Sequence, residues 1–152
     1  MHPHVLASCH MHTANGMAWA AFGEPLQPIN QTACSFYDDH VVIRDDAGRV
    51  ALESGEGNAV AAALSGKMAI HQNHGLFAVG RESVDECAWW FISAEKACEI
   101  QLKVGAVARP PVLVEHERAL HISRKLATPG LAWLHYQPLY ESVCRTDPDL
   151  FD

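Results

Sequence analysis

The chain has 152 residues, 49% hydrophobic and 19% charged, with a formal net charge of −7. That length suits one domain able to bury a real core, and the composition is that of an ordinary globular protein. Net acidity without a basic patch argues against a nucleic-acid or anionic-membrane partner, and no apolar run approaches the roughly 20 residues of a membrane span. Five cysteines (Cys9, Cys34, Cys87, Cys98, Cys144) are scattered with no Cys-x-x-Cys. Such usage predicts reduced, mostly buried thiols in a cytoplasmic protein. No basic region followed by an apolar run opens the chain, so no signal peptide is expected.

In chain order, residues 4–8 read as a short buried strand. Residues two apart on an extended chain share a face, so His10 and His12 are expected to project together from its end. His2 and His4 repeat the spacing, incidentally, at the terminus. Thr13 is expected to cap, through its hydroxyl, a helix over 17–22. A proline-punctuated loop covers 24–28, and residues 40–44 form a strand followed by a turn at 45–49, with Gly48 suited to positive φ. Tyr37, Asp38 and Asp39 read as a solvated strand entry, with an acid/base group as the alternative.

The glycine-rich stretch 53–58 leads into an alanine-rich helix over 59–64, closed by Ser65-Gly66. Its acidic residues favour a structural role over phosphate binding. Residues 67–70 and 76–79 form two strands around a turn holding His74 and Gly75. His71 reads as a strand residue rather than a fourth ligand. The longest helix spans 83–104, with Val84, Ala88, Phe91, Glu95, Cys98 and Leu102 at helical spacing and Ser83 with Glu86 as a capping box. Trp89 and Trp90 are expected in the core or a subunit interface rather than as a ligand platform. Residues 105–111 form a linker, and the tail divides into two helical segments at Thr128-Pro129-Gly130.

One chemical statement stands out. His10, His12 and His74 are candidates for a three-histidine metal site. Three neutral imidazoles around a zinc with one open position make a catalytic arrangement, able to polarise a carbonyl or stabilise an enolate. With ten histidines in the chain, an accidental His-x-His pair is the plain alternative.

His10-Met11-His12-Thr13 before a helix, Gly23-Glu24-Pro25-Leu26-Gln27-Pro28, Asn73-His74-Gly75-Leu76 and Val79-Gly80 together resemble the class II aldolase/adducin family. That family includes fuculose- and rhamnulose-phosphate aldolases, ribulose-phosphate 4-epimerase and the adducin head domain. Residues 31–40 resemble a bacterial branch of it, and the likeness runs over nearly the whole chain. It implies an α/β fold, a three-layer α-β-α arrangement with a central, mainly antiparallel sheet. Residues 1–108 would be a partial class II aldolase/adducin-like domain. Residues 109–152 would be a helical tail, part of the same fold or an oligomer interface.

The resemblance also implies zinc, or another divalent metal such as manganese or cobalt, on His10, His12 and His74. Family members carry a phosphate loop and an acidic residue ahead of their His-x-His, and this chain opens almost at that strand. It is therefore expected to be an N-terminally truncated member whose exposed apolar surface drives homo-oligomerisation. Gln31 and Ser35 stand where family aldolases and the epimerase place a tyrosine and an aspartate, a departure from both. Family rings also insert a C-terminal tyrosine into a neighbour's site as proton donor. Tyr136 and Tyr140 are the candidates, with interface packing around Trp133 as the plainer reading.

Two functions follow from the resemblance. One is a metal-dependent aldehyde-lyase cleaving a hydroxy-carbonyl or sugar-phosphate-like small molecule by retro-aldol chemistry through an enediolate. The other is a catalytically inactive, adducin-like scaffold of cytoskeletal type. Retention of all three histidines favours the first, and the missing acidic residue and phosphate loop favour weakened or absent turnover.

Overall fold

The computed structural model describes residues 4–44 and 60–151. The turn at 45–49, the glycine-rich stretch 53–58, the first residue of the 59–64 helix and His2 of the terminal pair lie outside the described residues. Four strands, β1 (Ala7–Met11), β2 (His40–Ile43), β3 (Met68–His71) and β4 (Gly75–Gly80), form one sheet in the order β1-β4-β3-β2. β4 runs antiparallel to both β1 and β3, while β2 and β3 are parallel, so the sheet is mixed and mainly antiparallel. The helices are α1 (Ala14–Ala20), α2 (Gln31–Cys34), α3 (Val84–Gly105), α4 (His116–His121) and α5 (Pro129–Thr146). Residues 60–63 are helical as well, and a π-turn, Ile122–Leu126, follows α4.

The register assigns the two faces of the sheet. Cys9, Ala78 and Met68 lie side by side on one face, His10, Phe77 and Ala69 on the other. Met68, Ile70, Leu76 and Ala78 are fully buried against Trp90, Phe91, Ala94 and Cys98 of α3 and Trp19 and Ala20 of α1. Complete burial of a side chain such as Phe91 or Leu76 contributes about 1.5–3 kcal/mol. The tail adds Ala127 and Ala132 to the same core.

Local signals explain α3. The Ser83 hydroxyl accepts from the Glu86 amide at 3.0 Å, as the capping box predicts. The Glu86 carboxylate reaches further back than expected, accepting from the Arg81 and Glu82 amides at 2.7 and 2.8 Å and from the Trp90 indole at 3.0 Å. Lys67, just ahead of the inner strand β3, ties the tail to the sheet. Its ammonium pairs with Asp39 at 2.5 Å, donates to the Ser35 and Ser123 carbonyls, and lies 5.3 Å from the Trp90 ring centroid.

Three expectations change. The first strand is Ala7–Met11 rather than 4–8, and it is not buried, because pairing with β4 fixes it three residues further on. Leu6 is 62% exposed. α1 starts at Ala14, and Thr13 occupies the N-cap without a cap bond from its own hydroxyl. The strand entry is engaged rather than merely solvated. Asp39 pairs with Lys67, Asp38 lies 3.4 Å from Arg124, and the Tyr37 hydroxyl bonds His116 Nδ1 at 3.0 Å. Among the described residues no helix is long and apolar enough to cross a membrane.

Candidate metal site

Strand geometry and one tight turn bring the three histidines together. His10 lies within β1 opposite Phe77, His12 one residue beyond the strand's end, and His74 in the turn between β3 and β4. That turn is closed by the His74 amide donating to the His71 carbonyl at 3.0 Å, with Asn73 at φ 58°. Asparagine tolerates this left-handed conformation better than most residues. The ring centroids stand 5.0 Å (His10–His12), 4.8 Å (His10–His74) and 4.9 Å (His12–His74) apart. One nitrogen from each ring falls within 4.8 Å of the others.

The donor set fits a divalent ion. Tetrahedral zinc with Zn–N near 2.0–2.1 Å separates two ligand nitrogens by roughly 3.3 Å, and His10 Nε2 lies 3.1 Å from His74 Nε2. His10 Nδ1 is 2.8 Å from the Leu76 carbonyl oxygen, which can only accept. Nδ1 therefore carries the proton, and Nε2 turns its lone pair to the site, the tautomer-fixing arrangement typical of metal-bound histidine. Phe77 stacks on the same ring at 4.1 Å and 8°. His71, 2% exposed on β3, stacks on His74 at 4.9 Å and 23°. It supports a candidate ligand ring and is outside the converging set among the described residues.

The remaining candidates lie elsewhere. Gln31 and Ser35 line a cavity of about 210 Å³ with Trp89, Trp90 and His135, and none of the three histidines lines it. Trp90 is buried in the core, and Trp89 stacks on His135 at 5.2 Å. Tyr136 and Tyr140 sit one turn apart on α5, ring centroids 6.5 Å from each other. A hydrogen bond with Cys144 pushes the Tyr140 phenol up. Cys9 neighbours His10 but belongs to the opposite sheet face, where burial raises its thiol.

Sequence reasoning missed Phe77 and Glu95. The Glu95 carboxylate accepts from Thr13 Oγ1 (2.6 Å), the Gly16 amide (2.7 Å), Asn15 Nδ2 (2.8 Å) and the Asn15 amide (3.0 Å). A charged residue on the otherwise apolar stripe of α3 was the available signal.

The family described as Class II Aldolase and Adducin N-terminal domain matches residues 1–102. The Streptomyces niveus protein named Decarboxylase NovR is 41% identical over 97% of this chain and 54% of its own length. A protein of Streptomyces roseochromogenus subsp. oscitans, named 4-hydroxy-3-prenylphenylpyruvate oxygenase/4-hydroxy-3-prenylbenzoate synthase, is 39% identical over 97% of this chain and 53% of its own. The chain thus spans about half the length of these curated relatives. The solved L-fuculose 1-phosphate aldolase from Glaciozyma antarctica PI12 superposes with a TM-score of 0.82 at 30% identity, covering 97% of this chain and 55% of that one.

Proposed function

Because this chain belongs to the class II aldolase and adducin family, we propose that it is a divalent-metal-dependent lyase, its ion held by His10, His12 and His74. Zinc suits three imidazoles best, with manganese or cobalt as substitutes. Bound there, the ion supplies Lewis-acid stabilisation of the negative charge that develops on a carbonyl oxygen as the neighbouring carbon–carbon bond breaks. The single observation carrying this reading is the convergence of the three rings, with His10 held in the tautomer that frees Nε2.

The chain's own groups set the conditions for binding. The Leu76 carbonyl and the Phe77 ring fix His10, while exposure at His12 leaves small molecules a way in. The substrate class is a small hydroxy-carbonyl or sugar-phosphate-like molecule, cleaved in the retro-aldol sense. A second reading is favoured by the two bacterial relatives, one named a decarboxylase and one named for a phenylpyruvate, which is a 2-oxo acid. In that reading the bond broken is the one to a carboxylate, and dioxygen, the co-reactant that the word oxygenase in the second name implies, takes up the electron pair that a 2-oxo group would otherwise leave on its carbonyl carbon. Both substrate classes would present oxygens on adjacent carbons to an ion held by His10, His12 and His74.

We also propose that copies associate through α5, where Trp133, Leu134, Tyr140 and Val143 are exposed. A neighbour's Tyr136 or Tyr140 is then the candidate proton donor, and the free thiols suit a cytoplasmic setting. The test is elemental analysis of the purified protein beside His74→Ala, followed by product analysis on hydroxy-carbonyl and 2-oxo acid panels. Near-stoichiometric metal in the parent, lost in the variant, with aldehyde release supports the lyase. Carbon dioxide release instead supports the second reading. No metal in the parent even after zinc is supplied sinks both and leaves a non-catalytic scaffold.

A further inference from the structure

The three histidines are not held alike. His10 lies inside the β1–β4 ladder, with a carbonyl on Nδ1 and a ring stacked on its face. His74 is fixed by its tight turn and by the His71 ring, and the preceding Asn73 amide donates to the Ala20 carbonyl at 3.1 Å. His12 lies beyond the last paired residue of β1 and is exposed, and among the described residues its ring makes no hydrogen bond. Its placement therefore depends on the backbone that follows it.

That backbone is gripped by one side chain. Oε2 of Glu95 accepts from Thr13 Oγ1 and the Gly16 amide, and Oε1 from the amide and side chain of Asn15. All four bonds are to a carboxylate, the stronger kind. Glu95 stands mid-way along the 22-residue α3, beside buried Ala94, Ala97 and Cys98, so the grip is anchored in the core. The start of α1 is also pressed onto β4, whose Leu76 carbonyl holds His10. A Cβ at Gly16 would lie 2.8 Å from Leu76 Cγ and 2.8 Å from Thr13 Oγ1.

We infer that Glu95 is the positioning residue for His12: by clamping Thr13, Asn15 and Gly16 it fixes the ligand just before them and sets the metal affinity of the site. With both oxygens filled by donors at the start of α1, Glu95 acts through His12 and does not join the ligand set. The inference rests on the metal reading above.

The test compares zinc and cobalt(II) affinity, the visible spectrum of the cobalt(II) protein and the melting temperature of the metal-free protein. The variants are Glu95→Gln, Thr13→Val and Ser83→Ala. Glutamine keeps the volume but turns an amide donor toward one pair of the donors at the start of α1. Loss of a partner bonded directly to a ligand typically weakens metal binding about 10–100-fold; Glu95 acts one step further out, so Glu95→Gln should weaken it by about 10-fold, the lower end of that range, with a changed cobalt(II) spectrum. Thr13→Val removes one bond of four and should weaken binding by a few-fold, which keeps the question answerable if Glu95→Gln fails to fold. Ser83→Ala loosens the far end of the same helix and should lower the melting temperature with affinity and spectrum unchanged. Parent-like affinity and spectrum in both Glu95→Gln and Thr13→Val overturn the inference. So does an affinity loss in Ser83→Ala equal to theirs, which would make the effect one of general stability. A parent protein that binds neither metal fails the metal reading itself, and the inference with it.

Discussion

His40 and the buried cysteines show how burial sets protonation away from the candidate metal site. His40 Nδ1 donates to the Phe36 carbonyl at 2.6 Å and Nε2 accepts from the Leu26 amide at 3.0 Å, which requires the neutral ring. Desolvation lowers its pKa below the ordinary 6.5. The unfolded chain then binds a proton that the folded one refuses, so this contribution is present above pH 6.5 and lost as pH falls. At the alkaline end the order reverses. Burial pushes the Cys87 thiol up to about 11 and the Cys98 thiol to about 12. The folded state keeps protons that the unfolded chain releases near 9, so stability present below that value is lost as pH climbs toward 11–12. Urea midpoints of the metal-free protein should therefore form a plateau from about pH 7 to 8.5 and fall on both sides. Cys98→Ala should flatten the alkaline limb, and a limb of unchanged slope would refute that assignment. A thiol reagent at about pH 8 should leave Cys87 and Cys98 unmodified until the chain unfolds.

Among the elements, β1 and α1 depend on neighbours while α3 carries its own instructions. α3 has an N-cap serine, acids at Asp85 and Glu86 in the first turn and Lys103 in the last, each matching the helix dipole. Ser83→Ala should cost about 1 kcal/mol, read as a lower urea midpoint with an unchanged slope. α1 has no such cap and borrows Glu95 instead. Its Gly16 lies so close to Leu76 that Gly16→Ala should cost about 1–3 kcal/mol by overpacking. Because Leu76 also supplies the carbonyl that holds His10, the same variant should weaken zinc binding in a calorimetric titration. A variant that melts lower yet binds zinc as tightly as the parent would separate the two roles.

For the whole molecule the unresolved balance is between a packed interior and an apolar exterior. Trp133 is 47% exposed, and Phe151 beyond α5 is 67% exposed. Isolated exposed apolar residues are ordinary; the row of them along α5 is what the proposed association rests on. Sedimentation equilibrium should find an assembly of more than one chain, and Trp133→Glu should shift it toward monomer with the circular-dichroism spectrum intact. A parent that sediments as a monomer at all concentrations would count against association through α5.

The sequence by itself determined the parts whose signal is local. β2, the β3–β4 hairpin and α3 follow from short-range pattern, turn residues and caps. Period two along an extended chain was enough to pair His10 with His12, and Asn73-His74-Gly75 marked the turn that meets them. The tertiary structure decided what depends on partners far away in the chain. Ala7, Cys9 and Met11 do alternate with Ser8 and His10, but the more apolar Val5-Leu6 draws the strand earlier in the sequence, and it is pairing with β4 that places it at Ala7–Met11. Glu95 sits 80 residues from the Asn15 it grips, and Lys67 spans 56 residues to the Ser123 carbonyl. Hydrogen bonding between groups so distant follows from how strands and helices pack, and no period in the sequence encodes it. Residue spacing made His10, His12 and His74 candidates and the family resemblance singled them out, whereas what holds each of them in place depended on the folded chain.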